Sequence, residues 1–249
     1  HPITEEFIGR AVQQAQSSRA DALLIELQTP GGLETSMRKI VEEITASKAP
    51  VIVYVTPSGA RAASAGFVIL EAADVAAMAP GTNTGAAHPV LAGGGQMDEV
   101  MKQKITNDAA ALMRSIAGKR GRNVAVAESA VRESKSFTDQ EALQQKLIDI
   151  VSPNEQDLLK QLNGREITRW DGSKTKLKTD GAVRAYTMTL KQEILAWLMN
   201  PNMAFVILAI GLLSLYVEFN HPGAIVPGVV GFFFIVLAVF ALNILPVRY

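Results

Sequence analysis

The sequence predicts an α/β domain with a mostly parallel sheet, followed by a transmembrane helical hairpin. Three observations carry that reading. Short unbroken apolar runs, residues 22–27, 51–55 and 75–79, alternate with segments of helical periodicity, the pattern of a parallel sheet covered on both faces. Charge nearly vanishes after Ile194. Two adjacent apolar runs, 203–217 and 224–245, then fill most of the remaining chain. A spanning helix requires about 20 apolar residues, a length that the second run meets and the first falls short of. The first run would cross a thinned bilayer, or turn back with its partner through residues 218–223 as a re-entrant hairpin.

The elements follow in order. Residues 3–15 place Phe7, Ile8, Ala11, Val12 and Ala15 at helical spacing, with Thr4 as the expected cap. Residues 22–27 read as a buried strand, broken by Thr29-Pro30-Gly31-Gly32. A helix over 33–45 turns Met37, Ile40, Val41 and Ile44 inward. Pro50 restarts the chain as the strand 51–55, and the segment around Ser64 opens a helix ending near Ala73. A third strand covers 75–79. The glycine-rich stretch Leu91-Ala92-Gly93-Gly94-Gly95 reads as a surface loop before a long helix over 98–117. Two helical segments, 124–132 and 139–146, follow, the latter capped by Thr138, and then a fourth strand over 147–151. Asn163-Gly164 and Asp171-Gly172 mark the turns of a small hairpin layer. Residues 182–199 form a juxtamembrane helix.

Composition excludes several function classes. The 249 residues hold one medium domain and an appendage, and 24 Lys+Arg cancel 24 Asp+Glu, so no general field favours nucleic acid. Cysteine is absent and only His1, His88 and His221 occur, so no thiolate site exists and zinc lacks a ligand set. No metal or other cofactor is expected. Lys191 and Arg248 are too few to set membrane orientation by positive charge. The chain opens at His1-Pro2 with no initiator methionine and no signal-peptide pattern, the start expected of a mature or trimmed product.

Chemistry concentrates on Ser64. It lies in Gly59-Ala60-Arg61-Ala62-Ala63-Ser64-Ala65-Gly66, where tiny side chains let a substrate backbone approach a hydroxyl delivered at a helix start. Serine attacks only when a base takes its proton and donors stabilise the oxyanion. Backbone N–H groups of Gly31, Gly32 and Ala65 are the oxyanion-hole candidates. His88, with Asp74 or Asp98 as third member, would make a Ser-His system. Lys102 or Lys104 would make a Ser-Lys dyad, provided the amine is tucked into an apolar cleft. The bland alternatives are an ordinary strand-to-helix turn at Pro30-Gly31-Gly32, a helix-packing motif at Ala63–Gly66 and a solvated lysine face.

Taken together, Leu27–Gly32, Gly59–Gly66, Met78–Ala86 and Lys104-Ile105-Thr106-Asn107 resemble the NfeD family of membrane-bound serine proteases. The resemblance continues in Gly121-Arg122-Asn123, Pro222-Gly223 and Pro227-Gly228. It implies a Clp protease/crotonase-like fold over 1–182, a linker helix over 183–202 and transmembrane helices over 203–249. By position it makes Ser64 the nucleophile and Lys104 the base, with His88 as alternative and Lys102 turned away from Lys104 along the helix. It implies a stomatin- or prohibitin-like membrane partner, a peptide or protein substrate, a lipid bilayer around the hairpin, a homo-oligomer, and a protease domain on the extracytoplasmic (periplasmic) side. Longer family members add a leading strand and a C-terminal five-stranded barrel, neither of which is read in these 249 residues; without that strand, stability would lean on a neighbouring subunit. The function expected is an endopeptidase cutting extended hydrophobic segments near the membrane. Crotonase-type acyl chemistry, which leaves a Ser-Lys pair without a role, and a catalytically silent scaffold on a stomatin-like ring are the competing readings.

Overall fold

In the computed structural model, residues 2–90, 98–198, 200–220 and 225–244 are described, and two compact units part between Tyr186 and Thr187. The expected loop at 91–95 and positions 221–223 of the expected hairpin turn lie outside the described residues. The first unit opens with α1 (Pro2–Ser17), β1 (Leu23–Leu27), α2 (Glu34–Ala46), β2 (Val51–Val55), β3 (Arg61–Ala63), α3 (Ala65–Ala72), β4 (Val75–Met78) and β5 (Asn83–Gly85). It continues with α4 (Glu99–Lys119), α5 (Val124–Arg132), β6 (Ser136–Thr138), α6 (Asp139–Gln144), β7 (Ile150–Val151), α7 (Glu155–Leu162), β8 (Glu166–Thr168) and β9 (Lys174–Lys176).

The main sheet has the order β1-β2-β4-β7 and every pairing in it is parallel. Its centre explains the unbroken apolar run. Val51, Val53 and Val55 pack into one core with Ile40, Ile44, Phe67 and Leu70 from α2 and α3. Ile52 and Tyr54, pointing the other way, meet Leu158 and Leu162 of α7 and Ile167 of β8. All five residues of β2 are buried because both faces are covered. The Tyr54 hydroxyl, the one polar group on that strand's side chains, donates to the Ser152 carbonyl at 2.8 Å.

A second sheet, β3-β5-β6, is not legible in the sequence. Its strands are three residues long, and β3 runs parallel to β5 while β5 and β6 are antiparallel. A single parallel bridge between Thr29 and Ala62 links it to the chain leaving β1. The small sheet therefore stands at the carboxyl ends of the main strands, where open α/β sheets place their ligand crevices. α3 is buried from Gly66 to Ala72 and apolar there except for Glu71.

Other boundaries differ from expectation for local reasons. Thr4 lies inside α1 rather than at its cap. The juxtamembrane helix begins only at Leu190. Thr189 precedes it, with its N–H and Oγ1 donating to Gln192 Oε1 at 3.0 and 3.1 Å, the capping-box pattern. Thr138 caps α6 as expected, in a full capping box with Glu141.

The second unit contains α8 (Leu190–Leu198), α9 (Pro201–Asn220) and α10 (Ile225–Ile244). At 20 residues each, α9 and α10 are about 30 Å long, the thickness of a bilayer's hydrocarbon core. The first run, expected to fall short, also reaches spanning length, because α9 continues beyond its apolar stretch through Asn202 and Glu218. The two helices pack antiparallel through small residues. A Cβ at Gly231 would stand 2.8 Å from the Gly211 carbonyl oxygen, and Ala204, Ala238 and Ala241 are buried. Large side chains point away: Leu213, Tyr216, Phe232 and Phe233 are each more than 60% exposed. Small residues inside and large apolar ones outside suit a hairpin solvated by lipid.

Candidate active site

Ser64 sits at the junction of β3 and α3 as the helix N-cap residue, with φ 55° and ψ −117°. A side chain in that left-handed region costs on the order of 1–3 kcal/mol and is held there only by its surroundings. The holding contacts are visible. The Ser64 N–H donates to the Gly85 carbonyl at 2.8 Å, and the Ser64 carbonyl accepts from Phe67 N–H at 3.0 Å to start the helix. Gly66 permits the tight entry, since a Cβ there would lie 2.5 Å from the Thr29 methyl. The half-buried Ser64 hydroxyl makes no hydrogen bond among the described residues.

The Gly31 turn lies directly against this hydroxyl. A Cβ at Gly31 would stand 3.0 Å from Ser64 Cβ and 3.4 Å from Ser64 Oγ, and Gly31 itself has φ 135°. Thr29 shapes the turn, its Oγ1 accepting from the Gly31 N–H at 3.2 Å and donating to the Gly31 carbonyl at 2.9 Å. The Gly31 N–H is therefore engaged locally. Among the described residues the N–H groups of Gly32 and Ala65 have no intramolecular acceptor. Ala65 is the first residue of α3, so its N–H belongs to the positive end of a helix dipole. Gly31→Ala is expected to cost about 1–3 kcal/mol of stability by crowding Ser64 and straining the turn; a thermal melt beside the wild type would check it.

The other end of α3 is anchored by two arginines that sequence reading does not single out for this role. Arg120 donates to the Ala72 carbonyl at 2.8 Å through Nε and to Asp74 Oδ1 at 2.6 Å through Nη1. Arg122 donates to the carbonyls of Leu70, Glu71 and Ala73 and to Asp149 Oδ2. Guanidinium donors thus satisfy the orphan carbonyls of a buried helix end and complement its dipole. Arg120 also lies over the Trp170 ring, 5.1 Å from its centroid. The only sequence signal for this anchor is the run Gly121-Arg122-Asn123.

The candidate bases are placed differently from the expectation of an apolar cleft. Lys104 and Lys102 are exposed on α4, and neither makes a hydrogen bond or ion pair among the described residues. The reason is where α4 packs: its buried residues are Ala110, Met113, Ile116 and Ala117, all beyond Lys104. His88 is half-buried, with Nδ1 3.0 Å from the Val131 carbonyl of α5, an acceptor that fixes a proton on that nitrogen. Neither proposed third member reaches it. Asp74 accepts from Val51 N–H and pairs with Arg120, and Asp98 caps α4 through Val100 and Met101 N–H.

Comparisons with known proteins agree with this architecture. Residues 3–161 match the NfeD1b N-terminal domain and residues 202–249 the NfeD integral membrane domain. The membrane-bound protease PH1510 of Pyrococcus horikoshii is 37% identical, over 95% of this chain and 54% of its own length. The membrane protein NfeD1b of Bacillus subtilis is 31% identical, over 90% of this chain and 50% of its own length. The chain thus spans about half the length of these curated relatives. Among solved structures, a lysine-to-alanine variant of the 1510-N membrane-bound stomatin-specific protease, in complex with a substrate peptide, superposes with a TM-score of 0.72 at 35% identity, covering 78% of this chain and 90% of that one. A serine-to-alanine variant gives 0.70 at 36% identity, covering 75% and 91%. ClpP1 from Listeria monocytogenes, 19% identical with a TM-score of 0.50 over 62% of this chain and 86% of that one, shares the fold. With an N-terminal domain of Clp protease-like fold followed by an integral membrane domain, this membrane protein belongs to the NfeD family.

Proposed function

We propose that the chain is a membrane-anchored serine endopeptidase using a Ser64-Lys104 dyad to cleave extended, apolar peptide segments near the membrane. The observation that carries the proposal is the placement of Ser64: a strained residue at a helix start, its hydroxyl against the Gly31 turn and beside the Ala65 N–H. In this reading Ser64 Oγ attacks the scissile carbonyl while the neutral Lys104 amine takes its proton. The carbonyl oxygen becomes an oxyanion held by the Ala65 and Gly32 N–H groups, each such donor being worth about 3–4 kcal/mol. Lys104 then returns the proton to the departing amine, leaving an acyl-enzyme that water hydrolyses.

An exposed lysine fits this scheme if the substrate itself excludes water. α2 starts just after the Gly31-Gly32 turn, and its Arg38 pairs with Asp108 of α4, one turn beyond Lys104. A peptide laid along the turn toward α4 would cover the amine and desolvate it, the condition under which a lysine serves as base. Val100 and Met101, 63% and 46% exposed in the first turns of α4, offer apolar contacts to such a peptide. The solved relatives support the same reading, since variants with a single serine or a single lysine replaced by alanine belong to a stomatin-specific protease, and the lysine variant holds a substrate peptide. By extension, we assign a stomatin-like partner, a homo-oligomeric state and an extracytoplasmic protease domain spanning about 1–182.

Covalent labelling tests the nucleophile directly. The full chain in detergent is treated with a serine-reactive fluorophosphonate and the modified peptide identified by mass spectrometry. Modification is expected at Ser64. Labelling elsewhere, or none while an apolar peptide is still cleaved, would sink the assignment.

A further inference from the structure

The amino-terminal half of α4 has no fully buried residue. The first in the helix is Ala110; from Glu99 through Asp108 only Ile105 and Thr106 are even half-buried, and the specific side-chain ties of this stretch to other helices are polar. Those ties come from two sides. From α2, Arg38 binds Asp108 while also pairing with Glu34 at 2.8 Å. From α5, Arg132 Nη1 donates to Asn107 Oδ1 at 2.9 Å. Arg132 is itself held by Glu128 at 2.6 Å, and Glu128 reaches back to Arg114 of α4 at 2.6 Å. Both arginines stand on helices that are themselves anchored: Met37 and Ile40 flank Arg38, and Ala130 and Val131 precede Arg132, all buried.

We infer that Arg38 and Arg132 are positioning residues that set where α4 presents Lys104 to Ser64. The inference rests on the proposed dyad. Lys104 and Asp108 are four residues apart and share one face of the helix. The face drawn toward α2 by Arg38 is therefore the one that carries the amine toward the Gly31-Gly32 turn. Asn107, three residues from Lys104, is drawn toward α5, so the two ties fix the rotation of the helix about its axis. Planar guanidinium forks suit this task better than point charges, because each holds two partners in defined directions. An exposed ion pair adds little to global stability. Its effect on a rate can be larger, since a misplacement of about 1 Å at a reacting group costs up to about a hundredfold.

The test uses the full chain in detergent with a fluorogenic, unstructured apolar peptide. Arg38→Gln, Asp108→Asn and Arg132→Gln are each expected to lower kcat about fivefold, leaving KM and the thermal midpoint close to wild type. The charge-swapped variant Arg38→Glu, Asp108→Arg, made together with Glu34→Gln so that the new carboxylate has no like charge one turn away, is expected to recover most of the kcat lost in either single change, a recovery that general loosening of the fold would not produce. Lys104→Ala is measured in parallel. If it is inactive while the three single variants turn over at the wild-type rate, the positioning role is overturned and the dyad stands. A loss of kcat that tracks a fall in midpoint, and that the swap does not repair, overturns it as well. If Lys104→Ala cleaves normally, the dyad itself fails and the inference fails with it.

Discussion

On the proposed Ser64-Lys104 dyad, Ser64→Ala and Lys104→Ala are each expected to lower cleavage of an apolar peptide by roughly a millionfold, the scale on which a hydrolytic nucleophile and its base act as one unit. The reason is the mutual dependence of the two steps. Without the base the hydroxyl keeps its proton, and without the hydroxyl the base has no proton to move. The double variant is therefore expected to be no slower than either single one. What remains in all three is the contribution of the backbone donors and of substrate binding, about a thousandfold over water. Lys104→Arg will be as inactive as Lys104→Ala, because a guanidinium does not deprotonate in a protein. His88→Ala is expected to keep most activity, since the His88 ring is tied to the Val131 carbonyl through Nδ1 and has no hydrogen bond to Ser64 among the described residues. Steady-state rates for the five variants check these outcomes, and an active Lys104→Arg enzyme would exclude the lysine as base.

The parts of this arrangement that are legible in the sequence are those fixed by local rules. Residues 51–55 can be read as a central strand because burial on both faces leaves an unbroken run with no charged side chain and one hydroxyl, that of Tyr54. Thr138 and Glu141 announce α6, and α5 begins and ends where its periodicity does. Ser64 stands out because small residues crowd a strand-to-helix turn. What escapes is made by partners distant in sequence. Arg61–Ala63 and Asn83–Gly85 carry no alternation and are strands only because they pair with each other and, for the second, with Ser136–Thr138. Arg120 and Arg122 look like surface charges until the buried end of α3 supplies carbonyls for them. The exposure of Lys104 depends on which turn of α4 first meets the core, and an alanine-rich helix gives little indication of that. The start of α8 is a local signal passed over in favour of the longer run: Thr189, with Gln192 three residues on, carries the capping pattern just before Leu190.

Glu71 provides the largest expected effect on stability. It lies in α3, fully buried, and neither carboxyl oxygen has a hydrogen-bond partner among the described residues. Two opposing influences act on it. Arg122 approaches Oε2 to 3.9 Å and favours the charged form, but its terminal nitrogens already serve the Leu70, Glu71 and Ala73 carbonyls and Asp149. Loss of water disfavours that form more strongly, so burial pushes the Glu71 carboxyl up to about 8 from an ordinary 4.5, with the Asp149 charge adding to the rise. The folded chain therefore holds this proton through a range in which the unfolded chain has released it. The contribution of Glu71 to stability is full below pH 4.5, falls as pH rises toward 8 and is flat above. Across that window the loss is on the order of 4–5 kcal/mol. Glu71→Gln removes the titration while keeping the shape of the neutral acid. Near pH 5 the variant should match the wild type closely, and near pH 8 it should be the more stable by roughly 3–5 kcal/mol. Urea unfolding followed by Trp170 fluorescence in a Trp197→Phe background reports on the correct unit, because Trp170 packs against the core of the first unit and stacks under Arg120, whereas Trp197 lies in the second. A stability difference between the two proteins that stays constant from acid to alkaline pH would show that the proton is not held at Glu71, and that Arg122 keeps the carboxylate charged in the core.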